Sequence, residues 1–228
     1  MLIMKSAVNA RVTKLATVHD SKSCAARLVG SSPTSGTKNP PPDLKTLAYI
    51  TGVAIGDGNL SNPNGRATRL RVTCDTKYPE LIKRIISSIR KILPDNKVSI
   101  INRAKTFIDI SCYSNKWEGW LDWKANLGPK HFQSVSIPTW IKEKREYSIP
   151  CLRGLLETDG SIYSDRGYKM VNFVTVIPQL ASDVMGIISK LGFEPRVYKI
   201  VTKTKDRYNV RISKCVNDFI KTIGFSKT

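Results

Sequence analysis

Acid, histidine and paired cysteine are what this sequence has little of. Asp and Glu number 18 against 37 Lys and Arg, a net charge of 37 − 18 = +19. That excess goes far beyond what solubility requires, so it argues against an acidic or neutral binding surface and points to a polyanionic partner. Nucleic acid is the first candidate, with a plain basic binder of the ribosomal or chromatin type as the alternative. Only His19 and His131 are present, which leaves almost no material for a histidine-rich metal site or a Ser-His-Asp arrangement. The five cysteines, Cys24, Cys74, Cys112, Cys151 and Cys215, are odd in number and never spaced CxxC, so they indicate neither a disulfide framework nor a zinc knuckle. Any metal must then be held mainly by oxygen. No apolar run approaches the roughly 18 residues of a membrane span, and the basic residues are not gathered on one amphipathic helix. No membrane partner is expected, and the chain reads as a soluble intracellular protein, with an organelle matrix as one possible compartment.

Residues 1–42 differ in composition from the rest. Lys, Arg, Ser and Thr are frequent, Asp20 is the sole acid, and the segment closes on Asn39-Pro40-Pro41-Pro42. This reads as a flexible basic tail or linker, with an organellar presequence or a phosphate-contacting arm as alternatives. From Asp43, a plausible N-cap, the pattern turns regular. A helix runs toward Gly56, and a turn-rich piece with Asn62-Pro63-Asn64-Gly65 leads into a half-buried strand over 66–74. A helix over 78–93, strands over 97–103 and 105–111, and a helix over 115–127 complete a first half, residues 43–146.

The remainder, residues 147–228, repeats that order. Ile50-Thr51-Gly52-Val53-Ala54-Ile55-Gly56-Asp57-Gly58 reappears as Leu152-Arg153-Gly154-Leu155-Leu156-Glu157-Thr158-Asp159-Gly160, with Asp57 and Asp159 separated by 102 positions. The same offset links Val72-Thr73 to Val174-Thr175, Ile85-Ile86-Ser87 to Ile187-Ile188-Ser189, and Ile110-Ser111 to Ile212-Ser213. Four matches on equivalent elements argue for an internal duplication. The second copy then reads as a helix over 149–158, strands near 160–164 and over 168–176, a helix over 179–191, strands over 194–202 and 207–213, and a last helix over 215–223.

Ala48, Gly52 and Gly56 lie four apart on one helical stripe, and Pro150, Gly154 and Thr158 form its counterpart. Small stripes let two helix backbones approach closely, which brings Asp57 and Asp159 side by side at their C-terminal ends. Two carboxylates about 5 Å apart repel by about 3 kcal/mol at an effective dielectric of about 20, and both helix dipoles add to the cost. A hard divalent cation resolves that conflict, and Mg²⁺ suits a site of one or two carboxylates completed by water and phosphate oxygens.

These two motifs and their spacing resemble those of the LAGLIDADG homing endonucleases in their single-chain, two-motif form, over roughly residues 44–228. LRGLLETDG is a close match; ITGVAIGDG departs at several positions but keeps Gly52, Asp57 and Gly58. The resemblance implies an α+β fold of two pseudo-symmetric αββαββα halves, with motif helices at the interface and a saddle-shaped pair of four-stranded antiparallel sheets over the DNA. It implies Asp57 and Asp159 as catalytic metal-binding acids, with the adjoining Gly56 and Thr158 in the metal set and Mg²⁺, or Mn²⁺ in its place, as cofactor. Lys130 and Lys227, each after the last helix of its half, become the basic residues that orient water or stabilise charge on phosphate. Arg69, Arg71, Arg103 and Lys105 of the first half and Arg207, Asn209 and Arg211 of the second become the outward, base-reading set. Arg196 and Lys199 join them, although alternation leaves their facing open, as it does for the strand over 168–176.

The function implied is a site-specific double-strand DNA endonuclease, intron-encoded and acting as a monomer on a long asymmetric target. An RNA-binding maturase, with intron RNA as partner, would not need both acids. A non-catalytic DNA-binding regulator on the same fold would be expected to lose one acid or add a helix-turn-helix, and neither is seen. An intein-resident nuclease is not expected, because the chain has no room for a splicing domain.

Overall fold

The structure, a computed structural model, describes residues 43–103, 105–202 and 205–225. The expected tail at residues 1–42 and Lys227 lie outside the described residues. Helix α1 (Leu44–Asp57) starts where Asp43 accepts from the Lys45 amide at 3.1 Å and from Thr46 Oγ1 at 2.8 Å. Strands β1 (Gly58–Ser61) and β2 (Arg69–Asp75) follow, then α2 (Pro79–Ile92), β3 (Val98–Asn102), β4 (Phe107–Tyr113) and the short helix α3 (Trp117–Leu121). After α4 (Thr139–Glu143), the order recurs as α5 (Arg145–Asp159), β5 (Gly160–Asp165), β6 (Tyr168–Thr175), α6 (Pro178–Lys190), β7 (Pro195–Ile200), β8 (Arg207–Ile212) and α7 (Val216–Ile223).

The strands form two four-stranded antiparallel sheets of the same topology, β1-β2-β4-β3 and β5-β6-β8-β7. Each sheet turns one face to the helices. Leu70, Val72, Ile110 and Cys112 fill that face in the first half, and Val171, Phe173, Val210 and Ile212 fill it in the second. The two motif helices pack against each other at the centre of the core, with Ala48, Ile50, Val53, Cys151, Leu152 and Leu155 inaccessible to solvent. This all-round burial explains why α1 reads as apolar on every side rather than as an amphipathic surface helix. Among the described residues no helix is long and apolar enough to cross a membrane.

Several expected boundaries move. Strand β1 supplies the first strand of the expected αββαββα order, whose range the residue pattern left undefined because four residues with one large apolar side chain, Leu60, are too short to show alternation. The helix expected over 115–127 stops at Leu121, where Asp122 takes a left-handed conformation with φ 63°. Helix α5 begins four residues earlier than 149 and carries Pro150 inside it. Ser148 anchors that extra turn by donating to the Ile141 carbonyl at 2.6 Å.

The common offset of 102 holds for the motif helices and fails beyond them. Gly58 pairs with Val72, whereas Gly160 pairs with Phe173, so Phe173 is the counterpart of Val72 and the offset there is 173 − 72 = 101. Val72 in turn faces Ile110, and Phe173 faces Val210, an offset of 210 − 110 = 100. The hairpin from Gly160 to Phe173 is one residue shorter than that from Gly58 to Val72, and because a strand has a two-residue period a slip of one sends a side chain to the other face. Val72 is fully buried, while Val174 is 38% exposed.

Candidate metal and nucleic-acid site

Close approach of α1 and α5 rests on two glycines. A Cβ added at Gly52 would run into the Cys151 carbonyl and lie 2.9 Å from the Leu155 amide; one at Gly154 would run into the Tyr49 carbonyl and lie 2.9 Å from the Val53 amide. Each glycine therefore lets the partner's backbone touch its own. The helices end in step. Gly58 and Gly160 both leave in extended conformation, with their amides on the carbonyls of Ala54 and Leu156. The preceding acids, Asp57 and Asp159, are both exposed. A Cβ at Gly56 would lie 3.4 Å from Asp159 Oδ2 and against the Thr158 hydroxyl. Thr158 turns that hydroxyl back on its own helix, donating to Leu155 O at 2.9 Å and Gly154 O at 3.1 Å.

Lys130 enters this region from the first half. Its ammonium donates to the α1 carbonyls of Ala54 at 3.2 Å, Ile55 at 2.5 Å and Gly56. Burial pushes its pKa below the usual lysine value, opposed by the charges of Asp159 and Asp57. It also stands between two cavities. One of about 470 Å³ is lined by Gly56, Asp159, Thr175 and Arg207, the other of about 480 Å³ by Gly58, Asn59, Ser61 and Asn126.

The donors this region offers are the Asp57 and Asp159 carboxylates, whose charges act on Lys130, and the terminal carbonyls of α1 that its ammonium contacts. They suit a hard cation that keeps several water or phosphate ligands. Among the described residues no cluster of three or more His, Cys, Asp or Glu offers a closed cage, as a zinc or calcium centre would need. Lys130 is itself a stand-in cation, drawn to the negative end of α1 and to both carboxylates. The group that fits is a hard divalent cation.

On the first sheet, Leu70, Val72 and Cys74 point to the helices, so Arg69, Arg71 and Thr73 lie on the open face as expected. Arg103 follows β3 and reaches the same face, but Lys105 belongs to the β3–β4 turn rather than to a strand. On the second sheet, Arg196 pairs with Arg211, Tyr198 with Asn209 and Ile200 with Arg207, which places all six on the open face. Lys199 is the correction: it pairs with Tyr208, so alternation sends it to the helix side, where it bonds Asp206 at 2.7 Å.

Three buried acids, Asp109, Glu157 and Asp183, were not anticipated, and the first two bear on the open face and the motif helices. Asp109, 3% exposed, lies on the open face of the first sheet and accepts from Thr73 Oγ1 at 2.7 Å and Arg103 Nε at 2.5 Å, with Arg71 at 3.9 Å. Burial raises its pKa, but the bonds from Arg103 and Thr73 outweigh that and hold the carboxyl below its usual range. An acid between Ile108 and Ile110, on a strand that carries no basic residue of its own but pairs with the arginine-bearing β2, was the available signal. Glu157, 2% exposed, accepts from Tyr49 Oη at 2.8 Å, Arg153 Nε at 2.9 Å and Arg84. Its signal was the i,i+4 spacing to Arg153.

Comparison with known proteins agrees with this architecture. A model of the LAGLIDADG-like domain matches residues 146–224, and a model of the WhiA LAGLIDADG-like domain matches residues 46–109. The chain belongs to the LAGLIDADG family. Both halves of this two-motif LAGLIDADG protein are thus matched separately. Its fold is similar to that of the homing endonuclease I-DmoI in a crystal structure with DNA and Mn, at TM-score 0.59 and 19% identity over 81% of this chain and 99% of that one. It is also similar to full-length DUF199/WhiA from Thermatoga maritima, at TM-score 0.56 and 13% identity over 81% of this chain and 56% of that one. Two curated relatives are each 25% identical: the ATP-dependent DNA helicase Hel308 of Thermococcus kodakarensis over 78% of this chain, and the tRNA-splicing ligase RtcB of Methanopyrus kandleri over 81%. The match takes up only 16% and 21% of those relatives' length.

Proposed function

We propose that this LAGLIDADG protein is a site-specific double-strand DNA endonuclease of the homing type, dependent on Mg²⁺ or Mn²⁺. The observation that carries the reading is the pair of motif acids, Asp57 and Asp159, at the adjoining ends of two helices in backbone contact. Open sheet faces bearing Arg69, Arg71, Arg196, Arg207 and Arg211 supply the cationic surface for phosphate and base edges. Asp57 and Asp159 would hold the ion together with the Gly56 and Thr158 carbonyls. When bound, it supplies Lewis acidity and lowers the pKa of attached water. The chain's own part is positional. The glycine contacts fix the spacing of the acids, and Lys130 holds positive charge between the two cavities, where it would stabilise the charge that builds on the non-bridging phosphate oxygens as water attacks phosphorus and on the leaving oxygen as its bond to phosphorus breaks. A second lysine role for Lys227 stands on the sequence alone.

A module of about 200 residues that recurs inside a helicase and an RNA ligase is what coding sequence that inserts into varied hosts would leave behind. This supports homing and widens the host from an intron to an in-frame insertion. The second reading is a DNA binder on the same fold that does not cut. It draws on the first half, whose motif departs furthest from the family pattern, whose match is to the WhiA-type domain model, and whose helix end is occupied by Lys130. A maturase acting on intron RNA would use the same basic faces without needing both acids. The deciding pair is Asp57→Asn and Asp159→Asn. Under the nuclease reading, each keeps duplex affinity in a gel-shift titration and loses cleavage; normal cleavage by either variant contradicts the metal assignment.

A further inference from the structure

The open faces of the two sheets are related by the duplication, yet their polar groups are in opposite states. Strand pairing sets the correspondence: Thr73 lies opposite Asp109 as Val174 lies opposite Asn209, and Arg71 lies opposite Ser111 as Asn172 lies opposite Arg211. In the first sheet the groups satisfy one another. Asp109 accepts from Thr73 and Arg103 with Arg71 close by, and Arg69 Nε donates to Ser61 Oγ at 3.2 Å. In the second sheet the acid's place is taken by Asn209, 9% exposed, and its Oδ1 finds no hydrogen-bond partner among the described residues. Asn172 Oδ1 and Arg211 Nε, across the same strand pair, are also buried without one. Buried polar atoms of this kind are disfavoured in a folded protein unless something else completes them.

Arg211 is also restrained. Its guanidinium lies over the rings of Tyr163, 5.9 Å from the centroid, and Tyr198, 5.5 Å from the centroid. Two aromatic faces fix the plane of the fork at little entropic cost, while its donors are committed to no carboxylate among the described residues. A preset fork beside two carboxamides is the donor and acceptor set that matches purine edges in a major groove, Arg to guanine O6 and N7, Asn to adenine N6 and N7. We infer that Arg211, with Asn172 and Asn209, is the specificity-determining site of the protein and takes a guanine flanked by adenine. The Asp109-bound arginines of the first sheet serve register on the phosphates rather than base choice. This rests on the duplex-DNA reading of the basic faces but not on cleavage.

The test is selection of bound duplexes from a randomised library by the full chain in Ca²⁺, repeated with Arg211→Lys, Arg211→Ala and Arg103→Ala. The wild type is expected to enrich a site with a guanine at one position of one half. Arg211→Lys keeps the charge but not the fork, and is expected to lower preference for that guanine by roughly tenfold to a hundredfold while the other positions persist. Arg103→Ala is expected to weaken binding to all sites alike. Thermal melting of each variant separates lost reading from lost folding, because a folded Arg211 variant with an unchanged consensus overturns the inference and leaves the duplex-binding reading intact. Failure of the wild type to enrich any consensus overturns both.

Discussion

A carboxylate at a helix C-terminus opposes the helix dipole, and a second one beside it adds like-charge repulsion, so Asp57 and Asp159 are costly to the fold. Asp159→Asn is expected to abolish cleavage while leaving the melting temperature at or above that of the wild type, since repulsion is removed and Lys130 keeps Asp57 as counter-charge. Glu157 is the opposite case. Its carboxylate joins α1, α2 and α5 through Tyr49, Arg84 and Arg153. Glu157→Ala leaves Arg84 and Arg153 without their buried counter-charge and is expected to cost about 3–5 kcal/mol, measured by urea denaturation. Both motif acids were legible in the sequence because they recur at equal distance from matching glycines. Glu157 was not, because an acid inside an apolar motif shows its burial only once three partners from different helices are placed around it.

At the scale of elements, the paired motif helices depend on glycine where their backbones touch and not elsewhere. Gly154→Ala puts a Cβ against the Tyr49 carbonyl and Val53 amide, and the clash is expected to cost about 1–3 kcal/mol, outweighing the gain in helix propensity. Gly186→Ala in α6 meets nothing within 4 Å and is expected to stabilise by about 0.5–1 kcal/mol; thermal melts of the two variants should shift in opposite directions. Asp43 caps α1 and bonds Lys91 at 2.5 Å, a contact that, with the Thr46 hydroxyl, holds its pKa at about 2. A carboxyl lowered in the folded state gives stability that is full above its unfolded value of about 4 and lost as pH falls toward 2. Asp43→Ala is expected to cost about 1 kcal/mol at neutral pH and progressively less as pH falls from about 4 through about 2, read from melts across that range. The long helices α1, α2 and α6 were legible from caps and period. Strand β1 was too short to alternate, and α3 was cut off by a left-handed Asp122 that no residue pattern announced.

For the whole molecule, the duplication was legible but its regularity was overstated. Loop lengths differ between halves, so strand counterparts fall at offsets of 101 and 100 rather than 102, and only hydrogen-bond register reveals it. The same register moves Lys199 off the open face and exposes the contrast between Asp109 and Asn209. The net charge of +19 predicts duplex affinity that falls by about 0.9 log units per log unit of salt for each phosphate neutralised, measurable by fluorescence anisotropy. The central claim is cleavage at a chosen sequence by the two motif acids. It is tested most directly by incubating the full chain with a randomised linear duplex library in Mg²⁺ and in EDTA, and sequencing the ends produced. The account predicts breaks in both strands at one consensus in Mg²⁺, none in EDTA and none with Asp159→Asn. Absence of any enriched break in Mg²⁺, or the same breaks from Asp159→Asn, would contradict it.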